Sequence, residues 1–472
     1  MSELEKAKFS RYKDESVLNT DSFDKRRFNS LYDMSKGLRQ LNEKADMPGF
    51  EQLLGDIWAG LYKMNPVLKE EVPDKLQQNK TIMERIMNDE NFEDHRVHTK
   101  LDDLTAAVGT VKFGEETYEW IEEQKRQNEE MQKLMEEIQK MQQNNQNGKQ
   151  DENINQAISE LNQHLQDAFN NNGYSFNQAM AKAMQQTNDI KNDVKSLLGG
   201  TSAGNQNAEL KKVPLRDQIR LAEALSNDLR VKRVAEWAGR MKMIARKKQK
   251  SKHTESIDRS GVTLGNSVER LLPVELGMYM NPKTKKDFMR RFVEGETLQY
   301  EQKGNEVLGK GPIVLCLDQS GSMEGLDMQS KGFALALMSI AKRQKRDFCL
   351  IRFSTRVYIE EYPKGKISID DMVSLATNFL GGGTNFEKPL NQALSTINKS
   401  RFEKADVVFV TDGEARVSDE FLDRFNKSKK EKKFNVLSLV IGNPRKSVDA
   451  FSDKVVNIAD FEDEGAFSAF EI

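Results

Sequence analysis

A chain of 472 residues is too long for one ordinary hydrophobic core, so two or three structural units are expected. Its 72 lysine and arginine residues almost balance 74 aspartate and glutamate residues, and the formal charge of -2 excludes a global attraction to nucleic acid or anionic lipid. The two cysteines, Cys316 and Cys349, lie inside apolar runs, which excludes a disulfide framework and indicates buried core residues in a reducing compartment.

Targeting signals are not evident in the sequence. The chain lacks an apolar run of the roughly 18 residues that a membrane-spanning helix needs. Its first residues, MSELEKAKFSRYKDES, lack the apolar centre of a signal peptide. We therefore expect a cytoplasmic protein, and a basic segment described below leaves peripheral association with a membrane open.

Residues 1–114 are typical of several short helices. Breaks that contain proline separate segments in which apolar residues recur at a spacing of three and four residues, for example Leu53, Ile57 and Leu61. This pattern predicts an all-helical region.

Residues 115–200 are rich in glutamine and asparagine. Their apolar residues keep the spacing of a coiled-coil seam, at Met131, Leu134, Ile138 and Met141, then at Ile154, Ile158, Leu161 and Leu165, and again from Phe176 to Leu197. The sequence NNQNG at 144–148 predicts a turn, so a helical hairpin or coiled coil is the simplest prediction. Disorder in the absence of a partner is the alternative, because few apolar groups are available to offset the ordering entropy.

Residues 201–310 are predicted to be helical after a flexible linker at 199–209. Pro214 opens one long helix with a continuous apolar stripe, which consists of Ile219, Leu225, Leu229, Val234, Trp237, Met241 and Ile244. The end of this helix, residues 230–252, is strongly basic and is either a solvated face or a surface for anionic lipid or nucleic acid. The lack of interleaved aromatic residues disfavours nucleic acid. Residues 261–291 predict a turn and two short helices.

Residues 311–472 alternate short apolar strands with amphipathic helices. The predicted strands cover residues 313–317, 348–353, 357–362, 407–410 and 436–441, with a last strand near Val455, and the second and third are expected to pair antiparallel. The predicted fold class is therefore an α-helical N-terminal region followed by an α/β doubly wound, mostly parallel-sheet domain. In such sheets, functional residues lie just beyond the carboxyl ends of the strands.

Three of these strand exits carry oxygen-bearing side chains. Asp318, Ser320 and Ser322 follow the first strand in IVLCLDQSGSMEG, Thr384 lies in the loop GGGTN, and Asp412 follows a later strand in VTDGE. Alternate residues of an extended segment face the same side, so the D-x-S-x-S spacing can direct three side chains at one ion. Because histidine and thiolate are missing from the set, it suits Mg²⁺, with Ca²⁺ or Mn²⁺ as alternatives, and it does not suit zinc.

The same residues resemble the metal-ion-dependent adhesion site (MIDAS) of the von Willebrand factor A (VWA) domain. That family has D-x-S-x-S after the first strand, a threonine in a glycine-rich loop and an aspartate after the fourth strand, and all five positions match here. The resemblance covers residues 311–472. It implies direct coordination by Ser320, Ser322 and Thr384, with Asp318 and Asp412 acting mainly through water.

A second resemblance extends upstream of this domain. The stretches ERLLPVELGMY, GPIVLCLDQSGSM and GFALALMSIA look like those of the bacterial ViaA-type proteins, in which a helical N-terminal portion precedes an A domain. This resemblance implies a cytoplasmic cofactor of a MoxR-type AAA+ ATPase, with a metal site that accepts an acidic side chain of the ATPase or of a client protein with exposed Asp or Glu. The segment 115–200 does not match that family.

Catalytic functions are disfavoured by missing residues. A phosphatase with Asp318 as nucleophile would need a carboxylate at position 320, which is serine here. A serine hydrolase would need a nearby histidine, and all four histidines lie outside residues 311–472. A phosphate-binding loop would need a lysine after GGGTN. We therefore expect a protein that is not an enzyme; a purely structural metal site, and an adaptor acting through residues 230–252, stay open as alternatives.

Overall fold

The structure is a computed structural model that describes residues 16–144, 151–198, 210–253, 257–304, 311–399, 402 and 405–471, apart from residues 46, 48, 211 and 443–445. The chain forms two compact units, Met1–Gly239 with Ser368–Thr377, and Arg240–Ile367 with Asn378–Ile472. Within the described ranges, the helices all lack the combination of length and apolar character that crossing a membrane requires.

The first unit is helical, which confirms the predicted helical N-terminal region. Its helices are α1 (Ser22–Met34), α2 (Lys36–Lys44), α3 (Phe50–Tyr62), α4 (Gln77–Met87), α5 (Phe92–Thr99), α6 (Asp103–Gln127), α7 (Glu129–Asn144), α8 (Asp151–Leu198), α9 (Leu215–Asn227) and the first residues of α10 (Leu229–His253).

Two glycines allow α6 to lie close to α3. A Cβ atom added at Gly114 would lie 2.5 Å from Leu54 Cδ2, and one added at Gly109 would lie 2.8 Å from Leu61 Cδ1. Both distances are shorter than a van der Waals contact, so a larger residue at either position would displace the facing leucine side chain. The residues predicted to share the apolar face of α3 are all buried, namely Leu53, Ile57 and Leu61.

The segment rich in glutamine and asparagine is helical where it is described. Most of its apolar side chains are buried, including Met131 and Ile138 of α7 and Ile158, Leu161 and Leu165 of α8. Leu134 of the predicted seam is half-buried, and Tyr174 is 77% exposed. The Trp120 ring of α6 stacks on Phe169 with centroids 4.6 Å apart, and Trp120 Nε1 donates a hydrogen bond to Ser175 Oγ at 2.8 Å. The predicted turn, from residue 145 onward, and the side chains of Met141 and Ile154 lie outside the described residues.

The single long helix predicted after Pro214 is wrong, because the structure divides it into α9 and α10. Asp228 between them has an extended backbone (φ -130°, ψ 112°), and its Oδ1 accepts a hydrogen bond from the Arg230 amide at 2.7 Å. This local bond caps a new helix and competes with continuation of the first. Leu229, which the sequence placed on the apolar stripe, is consequently 74% exposed. The predicted linker at 199–209 lies outside the described residues.

His95 is buried in the first unit. Its side chain stacks on the Phe113 ring with centroids 5.6 Å apart, and neither ring nitrogen has a hydrogen-bond partner in the part of the chain that the structure describes. Burial lowers the pKa of His95 to about 4, and the positive charges of His98 and Lys191 act in the same direction. The folded unit therefore holds this imidazole neutral.

This burial predicts a loss of stability in acid. The unfolded histidine takes up a proton near pH 6.5 and the folded one only near pH 4, so protons favour the unfolded state between these values. We expect the free energy of unfolding to fall by at most about 1.4 kcal/mol per pH unit over this window. Urea unfolding of His95→Leu should lack this component, whereas exposed His98→Gln should retain it; equal pH profiles for wild type and His95→Leu would refute the prediction.

In the second unit, the end of α10 is followed by a small module at residues 257–304, which was predicted only in part. The two short helices are present as α11 (Pro273–Met280) and α12 (Lys285–Glu294). They are flanked by β1 (Ile257–Gly265) and β2 (Thr297–Gly304), an antiparallel pair that was not predicted. The two strands are separated by two helices along the chain, so their pairing is not signalled by a short turn.

The remainder of the second unit is built on a six-stranded sheet in the order β5-β4-β3-β6-β7-β8. The strands are β3 (Ile313–Asp318), β4 (Phe348–Phe353), β5 (Val357–Tyr362), β6 (Asp406–Thr411), β7 (Val436–Ile441) and β8 (Lys454–Ile458). Neighbouring strands run parallel except the predicted antiparallel pair β4 and β5. The connecting helices are α13 (Asp327–Gln344), α14 (Ile369–Thr377), α15 (Glu387–Ile397) and α16 (Asp419–Lys432), and α14 falls within the first unit.

This architecture confirms the predicted α/β, mostly parallel fold class. β3, β4 and β7 are buried at every residue, as expected for strands covered on both faces. A contiguous apolar core includes Phe353, Phe386 and Phe409, whose rings pack on one another with centroids 5.1 to 6.3 Å apart. The core includes side chains of both strands that lead to the predicted site, Cys316 of β3 and Phe409 of β6.

Candidate metal centre

Four of the five predicted site residues lie at the carboxyl ends of two adjacent parallel strands, whereas the fifth, Thr384, lies in a loop between two helices and not at the third strand exit that the sequence predicted. β3 ends at Asp318 and continues through Ser320 into a 3-10 turn, Gly321–Leu326. β6 ends at Thr411 and is followed by Asp412. Because β3 and β6 are direct neighbours in the sheet, the residues that follow the two strands lie side by side at the same edge of the sheet.

Hydrogen bonds join four of the five predicted residues into one group. Ser322 Oγ donates to Asp412 Oδ1 at 2.8 Å, across 90 residues of sequence. The Oγ atoms of Ser320 and Ser322 are 3.3 Å apart, and the Ser320 amide donates to Asp318 Oδ1 at 2.8 Å. The D-x-S-x-S segment therefore turns its three side chains to one side, toward Asp412.

The fifth residue, Thr384, approaches from the glycine-rich loop. The loop is held against the β3 exit because the Gly381 amide donates to Gln319 O at 2.9 Å and the Gly321 amide donates to Gly382 O at 2.8 Å. Gly381 and Gly382 have φ values of 64° and 88°, which a residue with a side chain adopts only at a cost. Thr384 Oγ1 lies 3.1 Å from the position that a Cβ atom on Gly413 would occupy, so it meets the loop after β6.

Exposure differs across the site. Asp318 and Ser320 are buried, Thr384 and Asp412 are half-buried, and Ser322 is exposed. The domain therefore encloses the Asp318 and Ser320 side of the oxygen group, and the Ser322 side faces solvent.

The two carboxylates of the site lack a compensating cation. Burial raises the pKa of Asp318, hydrogen bonds from Thr411 and Ser320 oppose that shift, and the negative charge of Asp412 raises the pKa further. Among the described residues, neither carboxylate forms an ion pair with a lysine, arginine or histidine. Two carboxylates and three hydroxyl groups that converge from one sheet edge match the all-oxygen ligand sets of hard divalent cations. The described residues contain no cluster of three or more His, Cys, Asp and Glu side chains that could hold a metal ion.

The sequence did not indicate the hydrogen bonds and the ion pair that support the site. Thr411 Oγ1 donates to Asp318 Oδ2 at 2.5 Å; its place directly before Asp412 in VTDGE was the available signal. Gln319 points away from the oxygen group, as the alternation predicts, and its Nε2 donates to Asp327 Oδ1 at 3.4 Å. Asp327 Oδ2 in turn accepts from Lys331 Nζ at 2.5 Å, in a buried pair on α13.

Comparison with known proteins supports the assignment of this domain. Residues 313–414 match the family model of the von Willebrand factor type A domain, a range that contains all five residues. This chain contains a VWA domain. The VWA domain here spans β3 to the loop after β6 within the matched range, and the remaining strands complete its sheet.

Relatives of this VWA domain protein extend the similarity beyond the domain. It is 28% identical over 464 residues to an uncharacterized protein of Methanocaldococcus jannaschii. This alignment covers 96% of this chain and 98% of that protein. It is 26% identical over 200 residues to the regulatory protein ViaA of Proteus mirabilis. This alignment covers 38% of this chain and 41% of that protein. The chain therefore resembles ViaA while spanning less than half of its length.

A solved structure of a von Willebrand factor type A protein from Catenulispora acidiphila also matches. It has 17% sequence identity and a TM-score of 0.28, and it covers 37% of this chain and 43% of that chain. At this TM-score the likeness carries no argument.

Proposed function

We propose that this protein is a non-enzymatic, divalent-metal-dependent protein-interaction protein, with Asp318, Ser320, Ser322, Thr384 and Asp412 as the residues that hold Mg²⁺. The observation that carries the proposal is the convergence of Ser320, Ser322 and Asp412 within hydrogen-bond distance at the solvent-open edge of the sheet. When bound, Mg²⁺ supplies positive charge and an open coordination position for a carboxylate oxygen of a partner protein.

The five residues have different parts in this proposal. Ser320, Ser322 and Thr384 offer hydroxyl oxygens to the ion. Asp318 is buried and already accepts hydrogen bonds from Thr411 and from the Ser320 amide, which favours a role through water and through charge. Asp412 accepts from Ser322 and orients that hydroxyl group, as outer ligands of metal sites commonly do.

The partner we propose is a MoxR-type AAA+ ATPase, or a client protein with an exposed Asp or Glu side chain. Similarity to the regulatory protein ViaA supports a regulatory partnership. A partner carboxylate would add negative charge to an ion that two carboxylates neutralise only in part, so metal and partner should stabilise each other at the site.

The alternative function is binding of anionic lipid, or of nucleic acid, through the basic residues 230–252. Two described members of this cluster do not offer free charge at the surface. Lys242 is 6% exposed and burial lowers its pKa to about 7, and Arg240 forms an ion pair with Glu462 at 3.5 Å. The side chains of Lys247, Lys248 and Lys250 lie outside the described residues, and their charge reversal, assayed by liposome co-sedimentation, tests this alternative.

A pull-down tests the main proposal. Tagged wild type, Ser320→Ala/Ser322→Ala and a matched control, Ser339→Ala/Ser395→Ala, are each incubated with native lysate, with Mg²⁺ or with EDTA. Each control hydroxyl group donates a hydrogen bond to a carbonyl of its own helix, Ser339 to Leu335 O in α13 and Ser395 to Asn391 O in α15. We expect an AAA+ ATPase to be retained by wild type and by the control with Mg²⁺ and to be lost with EDTA or with the double variant. Equal retention in all samples would assign binding to another surface and refute the metal-dependent mechanism.

A further inference from the structure

The segment before Thr384 passes from the second unit into the first and back. Ser368–Thr377, which contains α14, belongs to the first unit, whereas Ile367 and Asn378 on either side of it belong to the second. Thr384 lies in the loop that joins α14 to α15. One loop therefore connects a helix of the first unit to a residue of the proposed metal centre.

α14 begins with a reciprocal cap. Ser368 Oγ donates a hydrogen bond to Asp371 Oδ2 at 2.7 Å and accepts one from the Asp371 amide at 3.1 Å. The Met372 amide donates to Ser368 O at 3.1 Å. Such caps satisfy amide groups that the first turn of a helix leaves without partners. A capped helix of this length moves as one body, so a displacement at its start is passed to its end.

The first unit holds α14 at both ends. α9 packs against α14 more extensively than any other described element does. At the start of α14, Arg220 of α9 binds Asp370 through two contacts, Nη2 to Oδ1 at 2.6 Å and Nη1 to Oδ2 at 3.2 Å. At its end, Arg230 Nη1 donates to Thr377 O at 3.3 Å, where a cation also suits the helix dipole. The position of α14 is therefore set by α9 and by the first residues of α10.

The loop after α14 is bonded to the segment that carries the serines of the metal centre. The Gly381 amide donates to Gln319 O at 2.9 Å, and the Gly321 amide donates to Gly382 O at 2.8 Å. Both contacts lie on the α14 side of Thr384 in the loop. A shift of the end of α14 therefore strains these two bonds and moves Thr384 relative to the D-x-S-x-S segment.

The other end of the same loop is fixed within the second unit. Asn385 Oδ1 accepts a hydrogen bond from the Lys388 amide at 3.0 Å at the start of α15. Lys388 Nζ donates to Thr355 O at 2.7 Å. Because this end is held by its own unit, the end at α14 is the one through which the first unit can act on Thr384.

We propose that the contact of α9 with α14 regulates the metal centre, because it sets the position of Thr384 and with it the affinity for Mg²⁺. The inference rests on the proposed function, since it requires that the five residues bind Mg²⁺. Arg220, Asp370 and Arg230 are then positioning residues that act through α14. The coupling is reciprocal, so bound metal strengthens the α9–α14 contact by the factor by which that contact strengthens metal binding. A partner protein that displaces α9 from α14 would lower the Mg²⁺ affinity without touching the metal centre.

Isothermal titration of the full chain with Mg²⁺ tests this inference. Arg220→Glu and Asp370→Arg each place like charges opposite one another, and we expect each to lower the Mg²⁺ affinity by about fivefold. The charge swap Arg220→Glu/Asp370→Arg should recover most of the lost affinity, a result that a folding defect does not give. Arg216→Glu makes the same charge change at another exposed position of α9 and should bind Mg²⁺ as wild type does.

Hydrogen exchange at the amides of α14 provides the reciprocal readout. Mg²⁺ should slow this exchange in wild type and should slow it less in Arg220→Glu. If wild type binds no Mg²⁺, the proposed metal centre is wrong and this inference fails with it. If wild type binds Mg²⁺ and both single variants bind it equally tightly, the metal centre stands and the regulation through α14 is refuted.

Discussion

Asp318→Ala should lower the Mg²⁺ affinity of the protein by about 10- to 100-fold while leaving it folded. Asp318 is fully buried at the end of β3, and its two oxygens hold the Thr411 hydroxyl and the Ser320 amide. Its removal takes a negative charge from beneath the proposed site and frees the segment that carries Ser320. Isothermal titration with Mg²⁺ measures the change directly, and a pull-down of the partner should show a parallel loss.

Thermal stability provides a check on this result that does not need a partner. A ligand at about 100 times its dissociation constant stabilises the folded state by roughly 2.7 kcal/mol. Mg²⁺ should therefore raise the melting temperature of wild type and should leave that of Asp318→Ala almost unchanged. Asp423→Asn removes an exposed carboxylate of α16 and is the matched control for charge. If Mg²⁺ stabilises Asp318→Ala as much as wild type, Asp318 is not part of the metal centre.

Asp327→Ala should lower the free energy of unfolding by about 3–5 kcal/mol, because it removes one partner of a buried ion pair. Lys331 is 0% exposed and Asp327 is 5% exposed, and Lys331 Nζ lies 2.5 Å from Asp327 Oδ2. After the substitution, the Lys331 ammonium stays in the interior without this carboxylate. Urea unfolding followed by circular dichroism measures the loss.

The double variant Asp327→Leu/Lys331→Met distinguishes a buried charge from a local defect in packing. Replacing both charges with apolar groups of similar size is often neutral, so most of the lost stability should return. The pair of exposed Lys399 and half-buried Glu361 is the control, and Glu361→Ala should cost no more than about 1 kcal/mol. A double variant as unstable as Asp327→Ala would show that the ion pair is not the cause.

The candidate site could be predicted residue by residue because its pattern is local in each part. D-x-S-x-S places three side chains on one side of an extended segment, and the structure brings Ser320 and Ser322 toward Asp412. What the pattern could not supply was the support beneath the site. The bond from Thr411 to Asp318 and the contact of Gln319 with Asp327 depend on how the strands and α13 pack.

The sequence by itself determined the order of strands and helices in residues 311–472, the helical character of the first unit and the chemistry of the oxygen group. Apolar periodicity and turn residues are encoded over a few neighbouring positions, so they can be recognised without a fold. Only the tertiary structure decided which distant segments meet. The pairing of β1 with β2, the exposure of Val262 and Leu264 and the burial of Lys242 and Lys331 each depend on contacts between residues far apart in the chain. Burial of side chains in the folded unit stabilises these contacts, and a short stretch of sequence does not indicate which distant residues will be buried together.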